Sequence, residues 1–412
     1  MAEAAVADKP PERARRSKAK WLKRWLPRLS ALAGVLVALL WWAIHRFDWM
    51  GPLVANTLRA VIGVDAVAFI EDTVYAIEDR YNRIARSKEA PKAHWTVPKP
   101  APDPAPAASA SAPPGARPAL PPFQPKDPGP ALKQWSAPGD GVWVPIVDPR
   151  RPGEAPHMMK TLLHPDVNRG WAEVFVVAVD LRRVTLHLVP GTQEPKADSP
   201  AGEKISRAGV IPAKDHEELL AAFNGGFMTE HGGYGMKLDG IVVVSPKPKA
   251  CTLAVYPDHG MRIGRWTDVE STEKDMLWYR QAPECMYRGD KLHPGLEYQS
   301  GVKKWGATLD GETVIRRSGI GLNAARDILY VAITNHSTAR VLADGMHHAG
   351  ASDVAQLDVN WSYPKFLLFE PKTPGGPRKA VALADGFEFS EDEYIRKKNR
   401  RDFFYLMRKP EP

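Results

Sequence analysis

Residues 221–240 read AAFNGGFMTEHGGYGMKLDG, six glycines interleaved with Asn224, Glu230, His231, Tyr234 and Asp239. Glycine lets a backbone approach a ligand closely, but Asn-Gly-Gly after an apolar run also makes an ordinary turn. The stretch is therefore either a surface loop or the wall of a site. It is not a phosphate loop, because no Gly-Lys-Ser/Thr follows and the G-x-G-x-x-G spacing is not met. Downstream, Thr334-Asn335-His336 closes a β-rich run just before a helical pattern. His336 is a candidate acid or base near neutral pH. Asn335 or Ser337 can cap the helix that follows, whose N-terminus favours anions. His347 and His348 lack the i, i+4 spacing of a metal pair, and no Cys/His pattern of a zinc site is present. The residues demand no cofactor, and a divalent cation stays open.

These groups need a scaffold, and the chain is long enough for one. It has 412 residues, 44% hydrophobic, and a formal charge of +8. Residues 1–28 carry nine Lys or Arg against three acids, which is +6 of that total. The remainder is nearly balanced, so the basic character describes a tail and gives no argument for nucleic acid binding. The sixteen residues Leu29 to Ile44 are uncharged and flanked by tryptophans. Extended to residue 47, they predict a short membrane-spanning anchor. The basic residues before it predict a cytoplasmic N-terminus and an extracytoplasmic C-terminal domain, as in a single-pass protein of a bacterial inner membrane.

Residues 48–90 follow with apolar residues near helical spacing, a stalk that could also pack on a membrane face or on itself. Residues 91–134 are dominated by Pro and Ala, which predicts a disordered or extended linker. The folded domain is expected over 135–390. AEVFVVAVDL (172–181) and VTLHLVPG (184–191) read as a hairpin turned at Arg182-Arg183, and HEELLAAF (216–223) as a short helix or turn. Strands are expected at GIVVVSP, CTLAVYP, GMRIGRW, KWGATLD, ETVIRRS, DILYVAIT and VAQLDVNW, with a helix over 337–351. Many strands and few helices predict an α+β fold on a mixed or antiparallel sheet. Residues 391–412 mix basic and aromatic side chains, either a helix packed on the domain or a tail touching an anionic surface. A Cys251–Cys285 disulfide is permitted outside the cytoplasm but not required by the spacing.

Taken in order, FNGGF (223–227), GMKLDG (235–240), RRSGIGLN (316–323) and ADGMHHAGASDVAQLD (343–358) resemble the phosphodiester glycosidase family over about residues 140–390. The match is best at Asn224, Gly225, Gly226, Phe227, Asp239, Gly240, Arg317, Ile320, Gly321 and Asp358. It departs after Asp358, where Val359, Asn360, Trp361 and Ser362 replace the family's glycines, with Ser362 in the family's Ser position. The resemblance implies hydrolysis of a sugar-1-phosphodiester on the glycosidic side of the phosphate, on a cell-envelope glycan or exopolysaccharide. Arg317 would then hold the phosphate, and Asp358 would serve as base or nucleophile. Asn224 would donate to phosphate or to a sugar hydroxyl, with His336 as a further acid or base. Gly225, Gly226, Asp239, Asn335, Asn360 and Ser362 would line the substrate. Glu230 and Asp239 are candidates for a second carboxyl group, though Asp239 before Gly240 reads first as a turn residue. The altered loop also admits a non-catalytic glycan-binding protein on the same fold.

Overall fold

The computed structural model describes residues 64–98, 120–297, 305, 313–373 and 375–409, with scattered positions between 25 and 63. Residues 1–71 and 72–412 form two compact units. The second holds three antiparallel sheets among its described residues. The eight-stranded sheet is built from β1 (Val144–Ile146), β2 (Met158–Leu163), β3 (Glu173–Asp180), β11 (Tyr287–Arg288), β12 (Lys291–Leu292), β13 (Arg317–Leu322), β14 (Ile328–Asn335) and β15 (Asp353–Val359). Its order is β1-β2-β3-β14-β13-β15-β11-β12. The second sheet comprises β6 (Met236–Leu238), β7 (Ile241–Val244), β8 (Cys251–Val255), β9 (Met261–Arg265) and β10 (Trp278–Ala282), in the order β7-β6-β10-β8-β9. The third comprises β4 (Val184–Val189), β5 (Leu219–Asn224), β16 (Phe366–Pro371), β17 (Arg378–Ala382) and β18 (Phe403–Arg408), in the order β17-β16-β5-β18-β4. Among the described residues from Val64 onward helices are few: α1 (Val64–Ala85), the single turns α2 (Trp266–Val269) and α3 (Pro294–Glu297), and α4 (Ala339–His348).

One core joins all three sheets through residues such as Val177, Phe223, Leu253, Ile320, Leu357 and Phe404. The opposite face of the large sheet is covered by α4, whose Leu342 and Met346 pack with Val174, Ala332 and Val354. A strand buried on both faces reads as a continuous apolar run, which is why β3, EVFVVAVD, shows no alternation. Within β13 the pattern Gly319-Ile320-Gly321 divides the faces. A Cβ at Gly319 would lie 2.6 Å from Met346 Sδ, so the glycine lets α4 settle on the sheet while Ile320 enters the core. Thr338 caps α4 by accepting from Val341 N–H at 3.2 Å, the usual role of a hydroxyl at that position.

Three expectations are corrected. The 172–191 hairpin does not form, because β3 pairs with β2 and β14 while β4 pairs with β18 in another sheet. Both edges of β3 are taken, and Asp180 binds Arg182 and Arg183 so that the chain turns a corner between sheets. HEELLAAF is mostly the central strand β5 rather than a helix. The C-terminal segment is no tail: β18, FFYLMR, is inserted between β5 and β4. Its flanking Arg and Lys residues masked an apolar strand. The linker ends are also built into the domain, with Phe123 buried and Asp127 accepting from Trp143 N–H at 2.8 Å. Residues 99–119 of the linker lie outside the described residues, as does the KWGATLD strand apart from Trp305. Among the described residues no helix is long and apolar enough to cross a membrane; the expected anchor, residues 29–47, is described only at scattered positions.

Cys251 and Cys285 are bridged, with Cα atoms 4.7 Å apart. The bridge ties the start of β8 to the loop after β10 across a sequence separation of 34 residues. By the loop-entropy argument a closed loop of that length contributes about 3–4 kcal/mol. Reduction, or a Cys251→Ala/Cys285→Ala chain, is expected to lower Tm by several degrees in a calorimetric scan, without loss of strand content by circular dichroism.

Candidate functional site

The glycine-rich stretch is organised from behind by a buried ion pair. Arg280, on β10, and Asp402, just before β18, each expose about 1% of their side chains. Arg280 Nε donates to Asp402 Oδ2 at 2.9 Å and Nη2 to Oδ1 at 3.2 Å. Its other N–H groups reach the carbonyls of Phe227 (2.7 Å), Tyr234 (3.0 Å) and Gln281 (3.2 Å). One guanidinium thus staples both ends of the 227–234 loop, a use of the five-donor fork that Lys could not match. Asp402 receives Gly226 N–H at 3.2 Å, and its carbonyl receives Gly225 N–H at 3.0 Å. A Cβ at Gly225 would lie 2.3 Å from that carbonyl oxygen. The two glycines are therefore required by the protein's own chain behind them, and their N–H groups are already engaged.

Asn224 ends β5 in full burial. Its Nδ2 donates to Ser318 Oγ (2.7 Å) and Gly225 O (3.1 Å), and its Oδ1 accepts from Lys365 N–H (3.2 Å). Ser318 Oγ in turn donates to Asp358 O at 2.9 Å. Asn224 is a joint between β5, β13 and β15, not a substrate donor. Arg317 is also fully buried. Its guanidinium donates to the carbonyls of Ser337 (3.1 Å), Trp305 (2.6 Å) and Thr313 (2.8 Å) and to Gln356 Oε1 (3.0 Å). It holds segments of backbone together and does not fit the phosphate role expected of it.

Asp358, at the end of β15, lies against the Gly225 wall, its N–H donating to Gly225 O at 3.2 Å. The carboxylate accepts Val359 N–H at 2.9 Å and an ion-paired hydrogen bond from Arg401 Nη1 at 2.5 Å. Burial pushes its pKa up, opposed chiefly by the Arg401 charge and the Val359 N–H, with His231 a further nearby positive influence. Arg401 exposes 24% of its side chain, so of Arg280, Arg317 and Arg401 it is the one that meets solvent. Its guanidinium lies 4.5 Å from the Tyr363 ring centroid, and Tyr363 Oη donates to Asp402 O at 2.6 Å. The resulting group is a buried carboxylate of raised pKa beside a solvent-reaching guanidinium that lies against Tyr363. It can accept a proton or attack an electrophilic carbon while the guanidinium holds an anion.

His336 is placed elsewhere. It adopts φ +52 and packs edge-on against Trp361, ring centroids 5.4 Å apart. Burial, with Arg86 and Arg316 nearby, lowers its pKa to about 4. Asn335 Oδ1 accepts from Arg316 Nε at 3.4 Å, and Arg316 Nη1 donates to Trp361 O at 2.6 Å. Asn360 Oδ1 accepts from Ser362 N–H at 3.2 Å, closing the altered loop on itself. Asp239 is an exposed turn residue at φ +49 between β6 and β7. A histidine held neutral in the fold favours the native state above its unfolded pKa near 6.5 and loses that advantage as pH falls toward 4. We expect the His336 imidazole to titrate at about 4 by NMR, and a His336→Gln protein to show a shallower fall in Tm between pH 6.5 and 4 than the parent.

Sequence reading missed Arg280, Arg401, Asp402 and Tyr363. The first carried a signal, a lone charge inside the apolar strand Trp278-Tyr279-Arg280-Gln281-Ala282. The next two lay in a segment read as a tail. Among the described residues no three His, Cys, Asp or Glu side chains converge to hold a metal ion.

No protein-family model and no curated protein matches the chain. Among solved structures, the catalytic domain of zebrafish N-acetylglucosamine-1-phosphodiester alpha-N-acetylglucosaminidase, auto-inhibited by its pro-peptide, is similar at 12% identity and a TM-score of 0.39, over 63% of this chain and 85% of that one. A hypothetical protein from Synechocystis is similar at 8% identity and a TM-score of 0.32, over 63% of this chain and 65% of that one. The resemblance is a distant one of fold and assigns no family.

Proposed function

We propose that the chain is a hydrolase of sugar-1-phosphodiesters on a cell-envelope glycan or exopolysaccharide. The observation that carries this reading is the Asp358–Arg401 pair on the Asn224–Phe227 wall. Asp358 acts at the anomeric carbon, as base for an attacking water or as nucleophile whose glycosyl ester water then hydrolyses. The C1–O bond breaks, and the phosphate monoester leaves with the oxygen. A phosphate leaving group is weakly basic, so a strong general acid is not demanded. Arg401 takes the phosphate-holding role first expected of Arg317. The Cys251–Cys285 bridge favours an oxidising compartment, in keeping with an extracytoplasmic domain behind an anchor at residues 29–47.

The test is sugar release from an N-acetylglucosamine phosphodiester and related phosphodiesters by the purified protein, with Asp358→Ala and Arg401→Ala proteins alongside. Release by the parent, lost in Asp358→Ala, supports the hydrolase. A second reading, a glycan-binding protein without turnover, is favoured by one feature: Val359 and Trp361 fill a loop that the family keeps bare. Binding of the phosphodiesters with no release by any of the proteins would establish that reading instead.

A further inference from the structure

Helix α1 has two faces with different fates. One is fixed to the domain: Asp79 accepts from Arg169 Nε and Nη2, both at 2.7 Å, Tyr75 lies 6.3 Å from Trp361 between ring centroids, and Asn82 is buried. The other carries Ile70, Val74, Ile77, Tyr81 and Ile84, which are 47% to 73% exposed. Their spacing is 4-3-4-3, the period of a helix that packs on other helices along a seam of a and d positions. At 100° per residue the anchored residues and the apolar residues Val74, Ile77, Tyr81 and Ile84 point roughly 150° apart, so these four look away from their own domain.

We propose that this stripe is covered by the same helix of other copies of this chain, in a parallel bundle. Two observations choose this occupant over a lipid surface. Surface-lying membrane helices carry Lys and Arg on their polar face. Here residues 64–85 hold five acids (Asp65, Glu71, Asp72, Glu78, Asp79) against Arg80 and Arg83, a net charge of −3, which an anionic membrane repels. The seam chemistry is that of a core: with Ile70, Ile77 and Ile84 at d and Val74 and Tyr81 at a, every position is large and apolar. β-Branched residues at d favour three or four strands over two. A parallel arrangement sets the edge bearing Glu78 against the edge bearing Arg80, whereas an antiparallel one sets like edges together. Each domain then hangs outside its own helix.

The native cysteines are bridged to each other, so a single introduced cysteine is the only free thiol in the full-length protein. In detergent solution, Val74→Cys and Ile84→Cys chains are each expected to form a disulfide-linked pair on mild oxidation, and an Ala76→Cys chain, off the seam, is not. Cross-linking at both 74 and 84 requires parallel helices. Light scattering is expected to give the parent a mass of several chains and an Ile77→Glu/Ile84→Glu protein the mass of one. Both substituted residues lie outside the domain core, so the circular dichroism of the folded domain should be unchanged. A monomeric parent, a double variant that keeps the parent's mass, or cross-linking at 76 equal to that at 84 would overturn the proposal.

Discussion

An Asp358→Ala protein is expected to lose on the order of 10²–10⁴-fold in kcat/KM toward a sugar-1-phosphodiester, the usual contribution of a positioned carboxyl group, while remaining folded. Removing one partner of a fully buried ion pair is normally costly. Here the partner left behind is Arg401, which already reaches solvent and can be hydrated. The raised pKa of Asp358 has a second consequence. A carboxylate whose folded pKa lies above its unfolded value weighs against the native state at neutral pH, and that cost is relieved as pH falls. Asp358→Asn, which keeps an oxygen to accept Val359 N–H, should therefore leave Tm at pH 7 unchanged or raised while turnover falls. A site residue that costs stability and supports activity is the pattern expected of catalytic machinery. Equal loss of Tm and activity would instead make Asp358 a structural residue. Arg401→Ala should cost less, roughly 10- to 100-fold, the size of a charge-assisted hydrogen bond to an anionic substrate. Its loss should appear in KM as well as kcat.

Arg317→Ala is expected to show the opposite signature. The change removes donors to three carbonyls and to the Gln356 amide oxygen in full burial. Ser337 O keeps Ile315 N–H and Trp305 O keeps Gln356 Nε2, but an acceptor left without a donor costs about 1–3 kcal/mol, and the missing side chain adds a cavity. A net loss of several kcal/mol follows from these values, a large share of the roughly 5–15 kcal/mol by which ordinary domains are stable. Arg317→Lys should not rescue it, because one ammonium cannot reach carbonyls arrayed around a planar fork. Urea unfolding of the purified variants measures this directly. A folded Arg317→Ala protein with normal stability and impaired phosphodiester release would restore the phosphate role to Arg317.

These two arginines show where sequence reading stops. Arg317 stands in an Arg-Ser-Gly-Ile-Gly strand, and the motif order marks it as special without saying what its side chain meets. Local sequence does not encode whether a guanidinium faces a cleft or a ring of carbonyls, because that depends on Trp305, Thr313 and Ser337 arriving from separate segments. Arg401 is the converse. Nothing within the run Asn399-Arg400-Arg401-Asp402 distinguishes it from a solvated basic tail, until β18 pairs between β5 and β4 and carries it to the end of β15.

Much was legible in the residue pattern alone. Apolar runs of four to eight residues placed β3, β4, β7, β8, β9, β14 and β15, because burial on one or both faces of a sheet imposes its own periodicity. The helix around α4 was visible from its spacing, and the few-helix α+β class followed from the ratio of strands to helices. Asp358 could be singled out as a strand-end carboxylate, and Asp239 as a turn residue. Tertiary structure alone decided which strands pair, and so which residues meet. Strand pairing is set by edges left open elsewhere in the sheet: β3 had none to offer β4, and β5 had one that only the last strand of the chain filled. The Asp358–Arg401 pair and the Arg280–Asp402 staple are separated by 43 and 122 residues, and they exist only once those edges have been matched.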